Sequence, residues 1–592
     1  MSVEMLVLYG SETGNARELA EYLYRECIYR DLSVRLSEMN QITVQELQSY
    51  SIALFVCSTT GDGEQPKNMK VFWRQLLSRH LTPRTFPRLN FSVLGLGDSS
   101  YAKFNYVAKR LFRRLEGLGG RPLHTLGLSD EQHPEGSDYQ SYIWMGDLFE
   151  KLGGHLQRQL TRTYRMLEPR YSFTITQTET IEESETKGDI KCVDIRDSNK
   201  DDVEDHVRRH VVCKDNPWRS VMVGNARLTS ADHFQDVRLV EFDVSGSGIQ
   251  YRPGDVVWIY PRNSEEDVVE AANLLNLNLD SNLEFTSEGE ISDFLPKSLT
   301  IRNLLTEYLD IASSPSRLFF EICSNFAKDE LEKEKFEDFI SLLGREELYS
   351  YVSRPRRTIL EVLADFHSVR ENLDIRYLFD FVPFIRPRGF SIASAQCVNK
   401  DRLEICMAVV RYKTIMKKER IGLCSNYLAN LPLNHPVNLF VEQGSFKFPT
   451  DRPIIMVGPG TGCAPFRSLI QSRANSQQQL ILFFGCRGED RDYFFKREWE
   501  QISNLQVITA FSRDQDRKIY VQHRIVEYGE LVWSALTRGA VFCVAGNSKN
   551  MPFQVKDALT TVSRLHGKLT QTEAEKYVET LVRNRLYQTE TW

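Results

Sequence analysis

Ile454-Ile-Met-Val-Gly-Pro-Gly-Thr-Gly-Cys-Ala-Pro-Phe-Arg467 runs from four apolar residues through a glycine-rich turn into a helix start. The apolar run reads as a strand buried on both faces of a parallel sheet. The turn, with Gly460 and Thr461 at its centre, admits the close backbone approach of a pyrophosphate, and Pro465 opens the helix where a missing amide donor does no harm. The next strand ends at Phe483-Phe-Gly-Cys-Arg487, and the one after it leads into Ser512-Arg-Asp-Gln-Asp-Arg-Lys-Ile-Tyr-Val-Gln522. A site for NAD would place a carboxylate on the ribose here, whereas Ser512, Arg513 and Lys518 suit an extra phosphate. Ile519, Tyr520, Val521 and Gln522 are expected to continue as a strand with Tyr520 and Gln522 on one face. The pattern points to NADPH, with a solvated charged loop as the alternative.

Working back toward the N-terminus, Arg386-Pro-Arg-Gly-Phe-Ser-Ile-Ala-Ser394 alternates cations, an aromatic and a hydroxyl, so that on a strand Arg388 and Phe390 share a face. A flavin dinucleotide needs such groups: cations for its pyrophosphate, a ring against its isoalloxazine and a small polar group near its reactive nitrogen. A core strand with solvated arginines is the other reading of this stretch alone. Val221–Thr229, Val237–Val244 and Tyr251–Ile259 alternate as barrel strands, and Arg354–Leu360 is expected to return the chain to the barrel after a mainly helical stretch. Gly422-Leu-Cys-Ser-Asn-Tyr-Leu428 is a small-residue loop entering a helix, a second phosphate seat.

At the other end, Leu6-Val-Leu-Tyr9 precedes Gly10-Ser-Glu-Thr-Gly-Asn-Ala16 and an amphipathic helix. Here hydroxyls stand beside helix N-terminal amides, a way to hold a phosphate monoester without a cation. A hydroxyl-rich helix cap is the plainer alternative. Two further strand–loop units follow, Ile52–Cys57 into Ser58–Pro66 and Phe91–Leu94 into Gly95–Asn105. Three loops at the carboxyl ends of parallel strands define one crevice.

Composition bounds the rest. With 592 residues the chain is too long for one core. Hydrophobic content of 41% and charged content of 26% are ordinary for globular protein, and a net charge of -6 gives no electrostatic case for nucleic acid. The 11 cysteines are scattered, which argues for reduced thiols and no bound metal. No apolar run has membrane-spanning length and the start carries no basic leader, so a soluble cytoplasmic protein is expected. Residues 179–210 are acidic and poor in aromatics, a linker or mobile loop, with an inert surface insertion as the alternative.

Taken together, the motifs and their order resemble the diflavin reductase family along the whole chain. The resemblance implies a multidomain α/β plus β-barrel protein: a flavodoxin-like FMN domain over 1–165, an acidic linker over 166–217, a ferredoxin-reductase-like FAD barrel over 218–264 and 353–450, a helical insertion over 265–352, and a Rossmann-like NADPH domain over 451–592. By it Ser11, Glu12, Thr13, Gly14, Asn15 and Ala16 hold the FMN phosphate. Ser58, Thr59, Thr60 and Gly61 face the flavin, with Thr60 where some relatives have tyrosine. Leu96, Gly97, Asp98, Ser99, Ser100, Tyr101, Ala102, Lys103, Phe104 and Asn105 form the third loop, with Tyr101 stacking on the ring and Asn105, Asp130 and Glu131 on the rim. Arg388, Gly389, Phe390 and Ser391 meet the FAD, Gly422, Leu423, Cys424 and Ser425 its pyrophosphate, Tyr412 its adenine, and Arg356 or Arg357 lends support. Ser391 and Glu590 attend the hydride step, and Trp592 covers the FAD ring until nicotinamide displaces it. Ala545 stands where relatives commonly have cysteine, with Cys543 two residues earlier. Within the family the chain looks most like reductases that feed an anamorsin-type iron–sulfur protein; a soluble monooxygenase reductase and a methionine synthase reductase are the alternatives. From another class, a flavin-binding sensor or scaffold without turnover also remains open.

Overall fold

The computed structural model describes residues 5–61, 63–101, 103–133, 139–163, 166, 168–169, 171–176, 212–214, 216–286, 295–296, 298–341 and 344–591. Asp62, Ala102, Trp592 and residues 177–211 of the acidic linker lie outside them. The described residues fall into two compact units, one from 1–168 and 316–354, the other from 169–315 and 355–592. No helix among them is long and apolar enough to cross a membrane.

The first unit is built on β1 (Met5–Gly10), β2 (Val34–Glu38), β3 (Ile52–Ser58), β4 (Asn90–Gly97), β5 (Arg121–Pro122) and β6 (Gly127–Asp130), all parallel, in the order β2-β1-β3-β4-β5 with β6 also on β4. β1 is buried along its whole length because both faces are covered. Leu6, Leu8 and Phe55 pack with Phe72 and Leu111 on one side, while Val7 and Leu54 pack with Leu19, Leu23 and Trp144 on the other. Strand order reverses between β1 and β3, so the loops after β1, β3 and β4 open on one crevice. This is the flavodoxin-like fold.

Residues 316–354 add a helical pair to this unit, so the stretch expected as one insertion, 265–352, is divided between the two units. Ser316 caps the helix Arg317–Phe326 by accepting from the Phe319 amide. Arg317 and Glu321, one turn apart, reach a buried polar cluster. The Arg317 guanidinium lies 4.9 Å from the Tyr142 ring centre and 5.7 Å from that of Tyr22. Arg162 sits 3.7 Å from Glu321 and 3.0 Å from Glu26. Burial pushes the Glu321 carboxyl above its usual range, against the pull of Arg25, Arg317 and Arg162.

In the second unit β7 (Phe173–Thr176), β11 (Asn282–Phe285) and β12 (Ser298–Thr300) form a small antiparallel sheet in the order β12-β11-β7, while β8 (Trp218–Arg227), β9 (Val237–Asp243), β10 (Val256–Ile259), β13 (Arg388–Ser391), β14 (Arg402–Ala408) and β17 (Pro436–Glu442) form an antiparallel barrel sheet in the order β13-β10-β17-β8-β9-β14. A hairpin of β15 (Arg411–Lys413) and β16 (Glu419–Ile421) stands beside it. The chain then forms a five-stranded parallel sheet from β18 (Ile454–Val457), β19 (Leu480–Cys486), β20 (Leu505–Phe511), β21 (Val541–Gly546) and β22 (Tyr587–Thr591), in the order β20-β19-β18-β21-β22. The glycine loop thus follows the central strand, as the apolar run Ile454–Val457 predicted.

Two sequence expectations are corrected here. Arg354–Leu360 is no barrel strand: it turns and opens the helix Ile359–Asp365. Thr358 and Glu361 form a capping box there, Thr358 Oγ1 accepting from the Glu361 amide at 3.2 Å and the Glu361 carboxylate from the Thr358 amide at 3.0 Å. Ile519–Gln522 does not continue β20 either, because Tyr520 caps the helix Val521–Glu527. Its amide donates to His523 Nδ1 at 3.1 Å, so Tyr520 and Gln522 share no strand face.

Arg317 Nε lies 3.7 Å from the Glu321 carboxylate, and removing one member of such a buried charge pair strands the other, whereas replacing both by apolar residues is close to neutral. Arg317→Ala is therefore expected to destabilise the first unit by about 3 kcal/mol, and the double change Arg317→Leu with Glu321→Leu to recover most of that loss. Thermal unfolding of the three proteins checks this; equal losses in the single and double variants would contradict it.

Candidate functional site

The loop after β1 is shaped by Gly14, which sits at φ 100° and so turns the chain into the helix Asn15–Ile28 where a side chain would be strained. The Gly14 amide donates to Ser11 Oγ at 2.9 Å, and the Ser11 amide to Asn68 Oδ1 at 2.8 Å. Glu12 turns away, its carboxylate accepting from the Lys67 amide at 2.9 Å. This leaves the exposed Thr13 hydroxyl beside first-turn amides that have no intrahelical acceptor. That donor set fits a phosphate monoester.

The other two loops of the crevice are tied in place by their own backbones. Thr60 and Glu64 exchange amide–carbonyl bonds at 3.0 and 2.8 Å, which brings Gly61 to the turn, and Thr59 Oγ1 accepts from the Val107 amide at 3.3 Å. Ser58 Oγ donates to the Gly10 carbonyl at 3.5 Å, joining the first loop to the second. In the third loop Asp130 accepts from the Ser99 amide at 2.8 Å, Asp98 from the Ser100 amide at 2.8 Å, and the Glu131 amide donates to the Gly97 carbonyl at 2.9 Å. Leu96, Lys103 and Phe104 are partly buried in it. Tyr101 keeps 38% of its surface exposed, a free aromatic face at the crevice. Asn105, expected on the rim, is instead fully buried: its side chain folds inward and donates to the Ser129 carbonyl at 2.9 Å.

On the barrel, β13 presents Phe390 opposite Val257 and Gly389 opposite Trp258. Arg388 is exposed, donates to the Arg386 carbonyl at 2.8 Å and lies 3.9 Å from Asp310. The Gly422 amide donates to the Val410 carbonyl at 2.9 Å, and the Ser425 hydroxyl accepts from the Val410 amide at 3.0 Å. The Ser425 side chain is thus committed inward, and the first-turn amides of the helix Leu423–Asn430, Leu423 and Cys424 among them, are the groups offered to a ligand. Tyr412 on β15 is 46% exposed. Of the two candidate arginines, Arg357 pairs with Asp365 at 2.5 Å, while Arg356 is exposed at φ 55°. An exposed ring at Tyr412, a partly buried one at Phe390, an exposed guanidinium and a helix start fit a flavin dinucleotide.

In the parallel sheet a Cβ on Gly462 would lie 2.3 Å from the Ala545 carbonyl oxygen, so glycine alone lets the Gly460–Cys463 turn, Thr461 included, seat against β21. Ser512 is buried, its amide donating to the Cys486 carbonyl at 3.0 Å. Arg513 and Lys518 are exposed, and neither has an ion-pair partner among the described residues, as an added phosphate would require. Cys543 is fully buried, and burial holds its thiol well above the usual range, in its neutral form.

Ser391 of β13 and Glu590 of β22, 199 residues apart, meet: Ser391 Oγ donates to Glu590 Oε1 at 3.0 Å. Sequence reasoning did not find their neighbour Ser445, whose hydroxyl donates to Glu590 Oε2 at 2.8 Å, because no local motif marks it. Burial pushes the Glu590 carboxyl up, opposed by the hydrogen bonds from Ser445 and Ser391 and reinforced by Asp255.

A carboxyl whose folded pKa is raised contributes stability below the unfolded carboxylate range and loses it as pH rises through the folded value. Glu590→Gln is therefore expected to melt a few degrees above the wild type at pH 8, with the gap closing toward pH 5. Calorimetric melts at both values check this, and a gap that ignores pH would mean that Glu590 is ordinarily solvated.

Comparison with known proteins agrees with this architecture domain by domain. Residues 7–144 match the flavodoxin family, 211–427 the FAD binding domain family and 456–556 the oxidoreductase NAD-binding domain family. NADPH-dependent diflavin oxidoreductase 1 of Bos taurus is 43% identical with all of both chains covered, that of Xenopus laevis 41% with 99% of each covered, and that of Schizosaccharomyces pombe 36% with 99% of each covered. Two flavin-binding folds and a nicotinamide-nucleotide sheet in one chain make this an enzyme that uses FAD, FMN and NADPH, and the chain belongs to the NADPH-dependent diflavin oxidoreductase family.

Proposed function

We propose that the chain carries electrons from NADPH through FAD and FMN to a soluble protein with a one-electron iron–sulfur centre, of the anamorsin type. Bound flavins accept the two electrons of a hydride and release them singly, which a nicotinamide does not do. The residues supply positions. Arg513 and Lys518 hold the extra phosphate, Gly460 and Thr461 the pyrophosphate, and Glu590 with Ser391 keeps a polar, oriented end for the nicotinamide. Arg388 and the Leu423–Asn430 helix start hold the FAD pyrophosphate, Phe390 and Tyr412 its rings, with Arg356 in support because Arg357 is already paired. Thr13 and the amides of the first loop hold the FMN phosphate, and Tyr101 covers its ring. Trp592, assigned to the FAD ring by resemblance, lies outside the described residues.

What supports the acceptor reading is the acidic character of the loops that frame the flavodoxin crevice: Glu64 after β3 and Glu131 after β6 are exposed and Asp130 partly so, near the loop of the exposed Tyr101, while Asp62, expected on the same rim, lies outside the described residues. An acidic rim favours a basic protein partner and makes its reduction slow as salt rises.

The nucleotide assignment predicts that Arg513→Ala raises the Michaelis constant for NADPH about tenfold, the loss of one charged hydrogen bond, while NADH turnover changes little. Steady-state kinetics with both nucleotides decides, and equal losses would move the phosphate elsewhere.

The route is tested with Thr13→Asp, which sets a carboxylate against the FMN phosphate. Loss of reduction of an oxidised anamorsin-type protein, with NADPH–ferricyanide activity retained through FAD, is expected. Equal reduction of the iron–sulfur protein by both enzymes would rule the route out.

A further inference from the structure

Strand β22 is stitched to the segment after β17 by its side chains. Gln588 accepts from the Lys447 amide at 2.7 Å and donates to the Lys447 carbonyl at 2.9 Å. Two residues on, and therefore on the same face of the strand, Glu590 accepts from Ser445, two residues back on the other segment. The two stretches thus run antiparallel, 588 against 447 and 590 against 445, with side chains doing what a backbone ladder would do. On the nucleotide side the register partner of Glu590 is Ala545, whose side chain has no donor to offer. Every hydrogen bond described for this carboxylate comes from the barrel: the Ser391 hydroxyl on one oxygen, the Ser445 hydroxyl on the other, and the Ser445 amide beside it, which remains when the hydroxyl is removed.

We infer that Ser445 is the positioning residue of this site: it holds one oxygen of Glu590 so that the other is presented to Ser391. A glutamate has three side-chain torsions, and a hydrogen bond from Ser391 alone leaves the carboxylate free to turn about that contact. The second hydroxyl removes this freedom, and the Gln588–Lys447 pair fixes the strand on which the side chain stands. Ser445 also stabilises the charged form, since a hydroxyl donor favours a carboxylate over a carboxylic acid. The groups that set its ionisation are named by the packing. Asp255, whose own oxygens accept from the Arg252 and Gly444 amides at 2.8 and 3.1 Å, opposes the charge from the barrel side. On the nucleotide side Ala545 and the neutral Cys543 add none.

The inference rests on the placement of Glu590 and Ser391 at the nicotinamide end, and its test separates the two. In the flavin-loaded enzyme the protonated Glu590 carboxyl is followed by its infrared carbonyl band, identified by its absence in Glu590→Gln. In Ser445→Ala this band is expected to persist to a pH about one unit higher, the equivalent of a tenfold change in the protonation equilibrium. Rapid-mixing measurements of flavin bleaching by NADPH are expected to fall about tenfold at neutral pH, with the acid limb moving alongside the band and the NADPH Michaelis constant changing less than about twofold. Ser445→Thr, which keeps the hydroxyl, restores both. If Glu590→Gln slows bleaching but the titration is unmoved in Ser445→Ala, the role of Ser445 is overturned alone. Bleaching in Glu590→Gln as fast as in the wild type overturns the placement of Glu590 and this inference with it.

Discussion

Glu590 is an ionisable carboxyl where an apolar contact would have been cheaper. It joins the parallel sheet to the barrel through two hydroxyls, and burial works against its ionisation. The seam around it is polar in the same way. Arg467, on the helix that opens at the glycine turn, donates to the Ala393 carbonyl at 2.9 Å and pairs with Glu404 and Glu498, while Ser468 donates to the Ser394 carbonyl at 2.6 Å. Apolar surfaces tolerate sliding, but hydrogen bonds of this density select one relative placement. The rings and amides that must share a flavin and a nicotinamide depend on that placement, because misplacement by about an ångström is enough to cost a large factor in rate.

The phosphate sites proposed for this chain share one device with different trimming. The sites proposed for the FMN phosphate and the FAD and nicotinamide pyrophosphates each lie where a strand or turn delivers the chain to a helix start, whose first amides have no intrahelical acceptor. In the proposed FMN site the trimming is a hydroxyl, Thr13, and in the proposed FAD site an arginine, Arg388, whereas the extra phosphate proposed beyond β20 would be met by the pair Arg513 and Lys518 alone. The differences follow the ligand. A monoester bound at the edge of a one-electron carrier needs no fixed cation near the ring, whereas an additional phosphate that distinguishes one nucleotide from another is read most sharply by charge.

What was legible from the residues was local. Gly458–Ala464, Gly10–Ala16 and Gly422–Ser425 each announce a turn and a helix start within a few positions, and the structure forms all three. Failures came where local pattern met a competing local signal or a distant partner. Arg354–Leu360 is expected to rejoin the barrel, but Thr358 and Glu361 satisfy each other's backbones and a helix results. Tyr520 and Gln522 look like strand neighbours until His523 accepts the Tyr520 amide. Asn105 reads as a polar rim residue, yet its amide is spent on the buried Ser129 carbonyl. Ser445 carries no motif at all, and its meaning comes from a residue 145 positions away.

The division of the helical stretch bears on how the protein is made. The strands of the flavodoxin sheet all lie before residue 131, yet the unit draws Arg317 and Glu321 from far downstream. A ribosome that has released the first three hundred residues has made a complete sheet with an incomplete flank, on which Tyr22, Tyr142 and Arg162 still face water. The helix that closes this flank arrives only after the first barrel strands have been synthesised. Maturation of the N-terminal fold is therefore tied to the translation of the middle of the chain, and a nascent protein halted between the two exposes aromatic surface of the kind that holdase chaperones bind.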